Sequence, residues 1–305
     1  MERQHTDTLS SRRLFLCAAL LGVAGFGAMA QQPGTVGTAA LLTSAATTTM
    51  SISTAAACAN GVPYAQELAT FSPSPTLWWR FDTAASATTV PDASGSGNAG
   101  TVVTPNAPLT SGLTLGTAAS GLIDCDTTTG LLQAGGATDA GFIVSPTPEM
   151  SPTTYTVSAW VGTKTAAGGR LVGFGDSKTG SSTISDSALL INKSGQPVFE
   201  VAGGPAPTLL HGAQSIADGV AHLVVATRHG NSVALYVDGV LVDSADTIAI
   251  PTAYSGYWRV GADALAGIGP TDRDQAAATV DEVAVWNSTA LPAATVEAMF
   301  TSNHW

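Results

Sequence analysis

The sequence predicts an all-β protein: two antiparallel sheets packed as a sandwich, with one short helix near the C-terminus. Three observations support this. From Leu77 onward, apolar and polar residues alternate in short runs, the period of a strand and not the 3.6 of a helix. Gly, Asp, Asn and Pro separate the runs at regular intervals, as turns do in sandwiches and barrels. Finally, Asp238-Gly239 sits between Leu235-Tyr236-Val237 and Val240-Leu241-Val242. Such a dipeptide favours a two-residue hairpin, because a type I′ turn needs positive φ at both central positions.

The elements follow in chain order. Residues 1–30 are an address. Arg3, Arg12 and Arg13 form a basic start, Leu14 to Phe26 is an uncharged apolar run, and Ala28-Met29-Ala30 is a small-x-small site. That is the layout of a secretory signal, too short and Gly-rich for a good membrane span; an uncleaved N-terminal anchor is the alternative. Ser11-Arg12-Arg13-Leu14-Phe15-Leu16 also resembles the twin-arginine export motif, with Cys17 where a Lys usually stands; both export routes stay open. Residues 31–70 form an Ala/Thr/Ser-rich arm or linker. Gln31 to Ala57 carries no charge and reads as a stalk or as an extended Thr-rich strand. Asn60 to Pro75 is a Pro-punctuated lead-in to a domain over residues 71–305.

Within that domain Thr154 to Val161 is the cleanest strand, with Tyr155, Val157, Ala159 and Val161 on one face and Thr156, Ser158 and Trp160 on the other. Leu171, Gly173 and Gly175 alternate with Val172, Phe174 and Asp176. Leu223 to Arg228 and Val233 to Asp238 repeat the pattern. The helix is expected after Ser288 or Thr289 as cap, with Pro292 in its first turn and Val296, Met299 and Phe300 on one face. Outer strand faces are expected to carry Thr, Ser and Asn.

Composition narrows the function. The 305 residues hold 11 Lys+Arg and 22 Asp+Glu, so 11% are charged and 45% hydrophobic, against roughly 25% charged in an ordinary soluble domain. A disordered chain needs the opposite balance. A net charge of -11 argues against binding to phosphate backbones, which rests on clustered cations; without residues 1–30 it becomes -12. Removing those residues leaves Cys58 and Cys125. An exported chain with two cysteines most simply makes one disulfide; two free buried thiols remain the alternative.

The order of motifs then matters more than any one of them. Leu77-Trp78-Trp79-Arg80-Phe81-Asp82 leads into Val90-Pro91-Asp92-Ala93-Ser94-Gly95-Ser96-Gly97-Asn98. Tyr155 to Val161, the Asp238-Gly239 hairpin and Tyr257-Trp258-Arg259-Val260-Gly261 follow. Last come Val280-Asp281-Glu282-Val283-Ala284-Val285-Trp286-Asn287, Leu291-Pro292 and the helix. This order resembles the laminin G-like, concanavalin A-like jellyroll domains of bacterial secreted and surface proteins, over about Phe71 to Asn303. It departs from them at Gly219-Val220-Ala221-His222, where the family usually starts a strand with a Trp-His-His-type run. The resemblance implies that the Asp281 to Asn287 strand returns beside Leu77 to Asp82. It also implies a calcium ion at the Asp92 loop, with Asp92, Asn98 and Asp281 or Glu282 as ligands. Calcium takes six to eight oxygens, and neighbours on a strand face opposite sides, so only one of the two acids should reach it. The alternative is an Asx-type turn in which Asp92 and Asn98 bond local amides.

Glycan binding is implied as well, since an aromatic face stacks on a sugar. Trp78, Trp160, Tyr236, Tyr257 and Trp258 are the candidates, and Tyr257, Trp258 and Arg259 form the expected ligand rim, near Asp263 and Asp272 to Asp274. Trp79, Phe81, Phe174 and Trp286 read as core. No catalytic residue is assigned. The chain lacks the paired-carboxylate run of glycosidases on this fold, a His-Glu-x-x-His site and a Gly-x-Ser-x-Gly elbow, and His222 reads as a core histidine. The expectation is a non-catalytic, exported, secreted or cell-surface binding module of adhesion type. Its partner is a glycan or extracellular polymer, with no nucleic acid and no membrane span once the signal is removed. The alternative is a structural subunit or decoration of a surface fibre or coat, assembled with neighbouring subunits through the N-terminal arm.

Overall fold

The computed structural model describes residues 64–104, 112–118, 123, 129–136, 140–202, 206–246, 248–263, 265 and 275–301. The export signal, the Gln31 to Ala57 arm, Cys58, Cys125 and Asp272 to Asp274 lie outside these.

Two antiparallel sheets stack face to face. The first runs from β15 (Val240–Ala245) through β14 (Ser232–Val237), β13 (Ala221–His229), β8 (Thr154–Gly162), β17 (Gln275–Asn287) and β5 (Thr129–Gly136) to β4 (Leu113–Ala118). Also in it, β1 (Leu77–Trp79) pairs with the late part of β17, Leu77 opposite Val285 and Trp79 opposite Val283, the return implied by the resemblance. The second runs from β12 (Thr208–His211) through β11 (Pro197–Val201), β10 (Ser185–Ile191), β9 (Gly169–Gly175), β16 (Ser255–Gly261), β6 (Phe142–Val144) and β3 (Gly100–Val103) to β2 (Thr89–Val90). A short β7 (Glu149–Met150) pairs with the start of β16. The hairpin between β14 and β15 turns at Asp238 (φ 52°) and Gly239 (φ 78°), as Asp-Gly predicts.

The main core lies between the sheets. Tyr155, Val157, Ala159 and Val161 of β8 meet Leu189 and Ile191 of β10, Phe199 of β11 and Trp258 of β16. Trp79, Phe81 and Phe174 join them, as expected.

The outer face of the first sheet corrects the expected Thr/Ser surface, because it is a second apolar layer. Trp160 of β8, Leu223 and Val225 of β13, Tyr236 of β14, Trp286 of β17 and Trp78 of β1 form one buried cluster there. Two helices cover it. The first, α1 (Tyr64–Leu68), falls in the stretch read as lead-in and sets Tyr64 edge-on to Trp160 at 5.7 Å. Five residues are too few for a 3.6-residue period to show. The second, α2 (Ala293–Thr301), is the expected helix and buries Val296 and Met299. Its first intrahelical bond runs from Val296 N to Pro292 O (3.2 Å), so Pro292 stands at the cap position given to Ser288 or Thr289. Of the five aromatics expected to be exposed, Trp78, Trp160, Tyr236 and Trp258 are buried. Truncating a buried aromatic of this kind costs about 3–5 kcal/mol, so these are structural members. No helix among the described residues is long and apolar enough to cross a membrane.

His222, at the start of β13, is more than a core residue. Nδ1 lies 2.7 Å from Asp238 Oδ2 and Nε2 3.2 Å from Asp218 Oδ1, so the ring ties the preceding loop to the hairpin turn. The hydrogen bond to Asp238 most of all, with help from Asp218 and against burial, raises its pKa above the usual imidazole value. A raised folded-state pKa stabilises the fold fully below the ordinary value of about 6.5, and that contribution fades as pH rises through the folded value. His222→Gln is therefore expected to lower Tm more at about pH 5.5 than at about pH 9. Equal losses at the two pH values would show that the imidazolium contributes nothing.

Candidate functional site

The outer face of the second sheet is built differently from that of the first. On β9, the extra residue of a bulge opposite Leu189 and Leu190 shifts the alternation. Leu171 and Val172 both join the inner core, and Arg170 is re-aimed outward, as bulges do to a side chain. Gly173 and Gly175 follow on the same outer face and leave room there. A Cβ at Gly173 would lie 2.5 Å from Arg170 Nη2 and 2.9 Å from Ala188 Cα, and one at Gly175 would collide with Ser182 Oγ and Asp263 Oδ2. On β16, Trp258 and Val260 belong to the inner core, so Tyr257, Arg259 and Gly261 face outward. Glu200, on β11, pairs with Ala188 of β10, and Leu265 and Leu209 pack on the apolar patch of Ala188, Leu190 and Val198.

Four charged groups are buried on this face: Arg170, Glu200, Arg259 and Asp263. Asp263 organises them. Its Oδ1 accepts from Ser182 N (2.7 Å) and its Oδ2 from Ser182 Oγ (2.8 Å). Arg170 Nη1 lies 3.2 Å from Oδ2 and Arg259 Nη1 3.4 Å from Oδ1. The Arg259 guanidinium is further spent on Ser177 O, Gly180 O, Ser182 Oγ and Ala262 O and rests 3.7 Å over the Phe142 ring. Burial lowers its pKa to about 10, with Asp263 opposing and Arg170 adding to the fall; it stays charged at neutral pH. Arg170 is less satisfied: among the described residues none of Nε, Nη1 and Nη2 has a hydrogen-bond partner, and neither has Glu200 Oε2. Burial pushes the Glu200 carboxyl up to about 7, against the pull of Arg170 and with a further push from Asp186. Such a face can hold an anion or a polar group and can exchange one proton near neutrality.

The expected rim of Tyr257, Trp258 and Arg259 is thus corrected. Trp258 and Arg259 are 1% and 0% exposed. Neighbours on a strand face opposite ways, which sends Trp258 into the core, and the loop from Asp176 to Ile184 covers Arg259. Tyr257 alone stays half-buried on the outer face, with Lys178 Nζ 5.8 Å over its ring. Sequence reading places Asp263 only as a neighbour of the rim and does not single out Arg170 or Glu200. The available signal was an Arg among apolar residues three and five positions before two glycines.

The expected calcium ligands have other partners. Asp92 Oδ1 accepts from Trp78 N (2.9 Å) and Ser94 N (3.0 Å), and Oδ2 from Ser94 Oγ (2.8 Å) and Asn98 N (2.8 Å). All four acceptor positions of a carboxylate are then taken. Asn98 Nδ2 donates to Thr76 O (2.8 Å), and Asn98 O accepts from Trp79 Nε1 (2.9 Å). The residues fit the Asx-turn alternative and do not fit a calcium site. Asp281 and Glu282 do not face opposite sides, because β17 bulges between Asp281 and Ala284 and Glu282 has φ 49°. Glu282 accepts from Arg80 Nε (2.9 Å) and Trp78 Nε1. Asp281 Oδ1 accepts from Glu282 N (2.8 Å). Among the described residues no group of three or more His, Cys, Asp and Glu could hold a metal ion.

Residues 136–297 match the family model of the concanavalin A-like lectin/glucanases superfamily. No curated protein matches the chain. Among solved structures, the Trypanosoma rangeli sialidase in complex with sialic acid is 15% identical at a TM-score of 0.50, over 78% of this chain and 37% of that one. A mutant of HCR/D is 14% identical at 0.50, over 74% of this chain and 50% of that one. Domain 4 of AbnA, a GH43 extracellular arabinanase from Geobacillus stearothermophilus in complex with arabinotriose, is 16% identical at 0.47, over 74% of this chain and 97% of that one. The chain thus spans half of HCR/D and little more than a third of the sialidase. At these identities the likeness is one of fold.

The Asp92 loop gives a direct test. Melting curves with millimolar Ca2+ and with chelator are expected to coincide, since a ligand held only by the native state would raise Tm by mass action. Asp92→Ala is expected to cost about 1–3 kcal/mol by leaving the partly buried amides of Trp78, Ser94 and Asn98 unpaired. A calcium-dependent Tm that Asp92→Ala abolishes would show that the loop holds the ion after all.

Proposed function

The chain belongs to the concanavalin A-like lectin/glucanases superfamily, and from that premise we propose that it is a non-catalytic, exported glycan-binding module of adhesion type. One observation carries the reading. The sandwich seals one outer face with helices and apolar side chains, and on the other it buries a charged cluster with unused donors over two glycines. Sealing one face is ordinary core building. Burying a guanidinium such as that of Arg170 with N–H donors left over costs stability, and sites bear such costs where binding returns them. Tyr257 supplies the accessible aromatic at the border of that face, the group on which a sugar ring stacks. The basic start, apolar run and small-x-small site of residues 1–30 support export.

A second reading is a subunit of a surface assembly. It is favoured by β15, an edge strand of the first sheet that exposes Val240 (64%) and Leu241 (50%). Unpaired strand edges are where another chain adds a strand.

A glycan array probed with the full exported chain separates these. The module reading expects retention of at least one glycan class, weakened about tenfold or more, a loss of about 1.4 kcal/mol, by Tyr257→Ala. It expects no change on deleting residues 31–57. No retained glycan, together with loss of assembly on that deletion, would favour the subunit. Release of reducing ends from a bound glycan would overturn the non-catalytic reading and make Glu200 the first candidate acid.

A further inference from the structure

Resting on the glycan reading, we infer that the outer face of the second sheet selects acidic, carboxylate-bearing sugars, with Arg170 reading the carboxylate. The argument starts from a donor count. A guanidinium presents five N–H donors and accepts nothing. Arg170 is fully buried, and its three nitrogens make no hydrogen bond among the described residues. Its one carboxylate contact is Asp263 Oδ2 at 3.2 Å. Asp263 cannot serve it further, because Ser182 N, Ser182 Oγ and Arg259 take its remaining acceptor positions.

The charges agree with the count. Arg170 and Arg259 face one fixed carboxylate, Asp263, and Glu200 bears a full negative charge only above neutrality. Below that the cluster carries a buried positive surplus, which a second carboxylate would neutralise. The planar fork of Arg matches a carboxylate bidentately, while a neutral hydroxyl offers a weaker acceptor. Gly173 allows the fork to lie flat across β9 toward Ala188, whose cross-strand partner is Glu200. The ligand carboxylate is thus placed between Arg170 and Glu200, and it competes with the Glu200 carboxylate for Arg170. Because Arg170 is fully buried, the ligand must displace residues above it, and association is expected to be slow, below about 10⁵ M⁻¹s⁻¹.

Glu200 gives the inference a pH signature. The charged groups that act on it are Arg170 of β9 and Asp186 of β10, with Leu209 of β12 opposite it in register and Arg259 and Asp263 farther along the face. As pH falls through about 7, Glu200 gains a proton and stops repelling an anionic ligand, so acidic sugars bind more tightly at about pH 6 than at about pH 8. Neutral sugars feel little change.

Calorimetric titration of the full chain with uronic-acid oligosaccharides and with neutral hexose oligosaccharides of equal length tests this at both pH values. The acidic series is expected to bind about tenfold tighter or more, and tighter at the lower pH. Glu200→Gln is expected to flatten the pH profile at high affinity. Arg170→Met is expected to abolish the acidic preference, and Arg170→Lys to keep part of it. Should Arg170→Met fail to fold, the Glu200→Gln profile still decides. Equal affinity for both series, or an acidic preference that survives in folded Arg170→Met, overturns the inference and leaves the glycan reading standing. Binding of neither series overturns both.

Discussion

One carboxylate, that of Asp263, holds the outer face of the second sheet together. It lies just past the end of β16 and reaches Arg170 on β9, Arg259 on its own strand and Ser182 in the loop between β9 and β10. Removing a charge from a buried network leaves its partners uncompensated, which costs far more than the network contributes. The other features of the face follow from this constraint. Gly173 and Gly175 must lack side chains, β9 must bulge, and the loop from Asp176 to Ile184 must turn its carbonyls toward Arg259. The charges that act on Glu200, and so its proton affinity, are set by the same arrangement.

The two outer faces answer the same problem in opposite ways. A sheet in a sandwich has one face on the core and one left over. In the first sheet the remaining face is apolar, and α1 and α2 cover it with Tyr64, Leu68, Val296 and Met299. In the second sheet it is charged and closed by polar loops. This changes the meaning of the low charge content. Few of the chain's residues ionise, yet Arg170, Arg228, Arg259, Asp186, Glu200, Asp263, Asp281 and Glu282 are all buried. Buried charges persist only when paired or used. Glu282 is paired with Arg80, and Arg228 lies 3.7 Å from Asp186; Arg170 and Glu200, like Arg228, keep polar side-chain atoms without a hydrogen-bond partner among the described residues.

Much of this fold was legible from period and punctuation. The faces of β8, the Asp238-Gly239 turn and the C-terminal helix rest on local chemistry, and local chemistry is written in consecutive residues. The return of β17 beside β1 came from resemblance alone, and the register of Leu77 opposite Val285 agrees with it. What stayed hidden lies at bulges and across sheets. An extra residue near Leu171 and another near Glu282 reverse a period-two reading, and nothing in the adjacent letters marks them. The site was hidden for the same reason: Arg170, Glu200 and Asp263 are far apart in sequence and meet only through strand order. The rim of Tyr257, Trp258 and Arg259 failed on a rule already available, since three successive strand residues cannot share a face. The Asp92 loop shows how alike an Asx turn and a cation loop look in sequence, because both use short oxygen-bearing side chains and glycine. The direction of the hydrogen bonds is what separates them.

The account stands on Asp263 as the anion that two buried arginines require. The most direct test is the unfolding free energy of Asp263→Asn, measured alone and together with Arg170→Met. Loss of the charge alone is expected to cost about 3–5 kcal/mol, and removing Arg170 as well should restore part of that loss, because the stranded cation goes with it. A single variant within about 1 kcal/mol of the wild type, or strictly additive losses in the double variant, would contradict it.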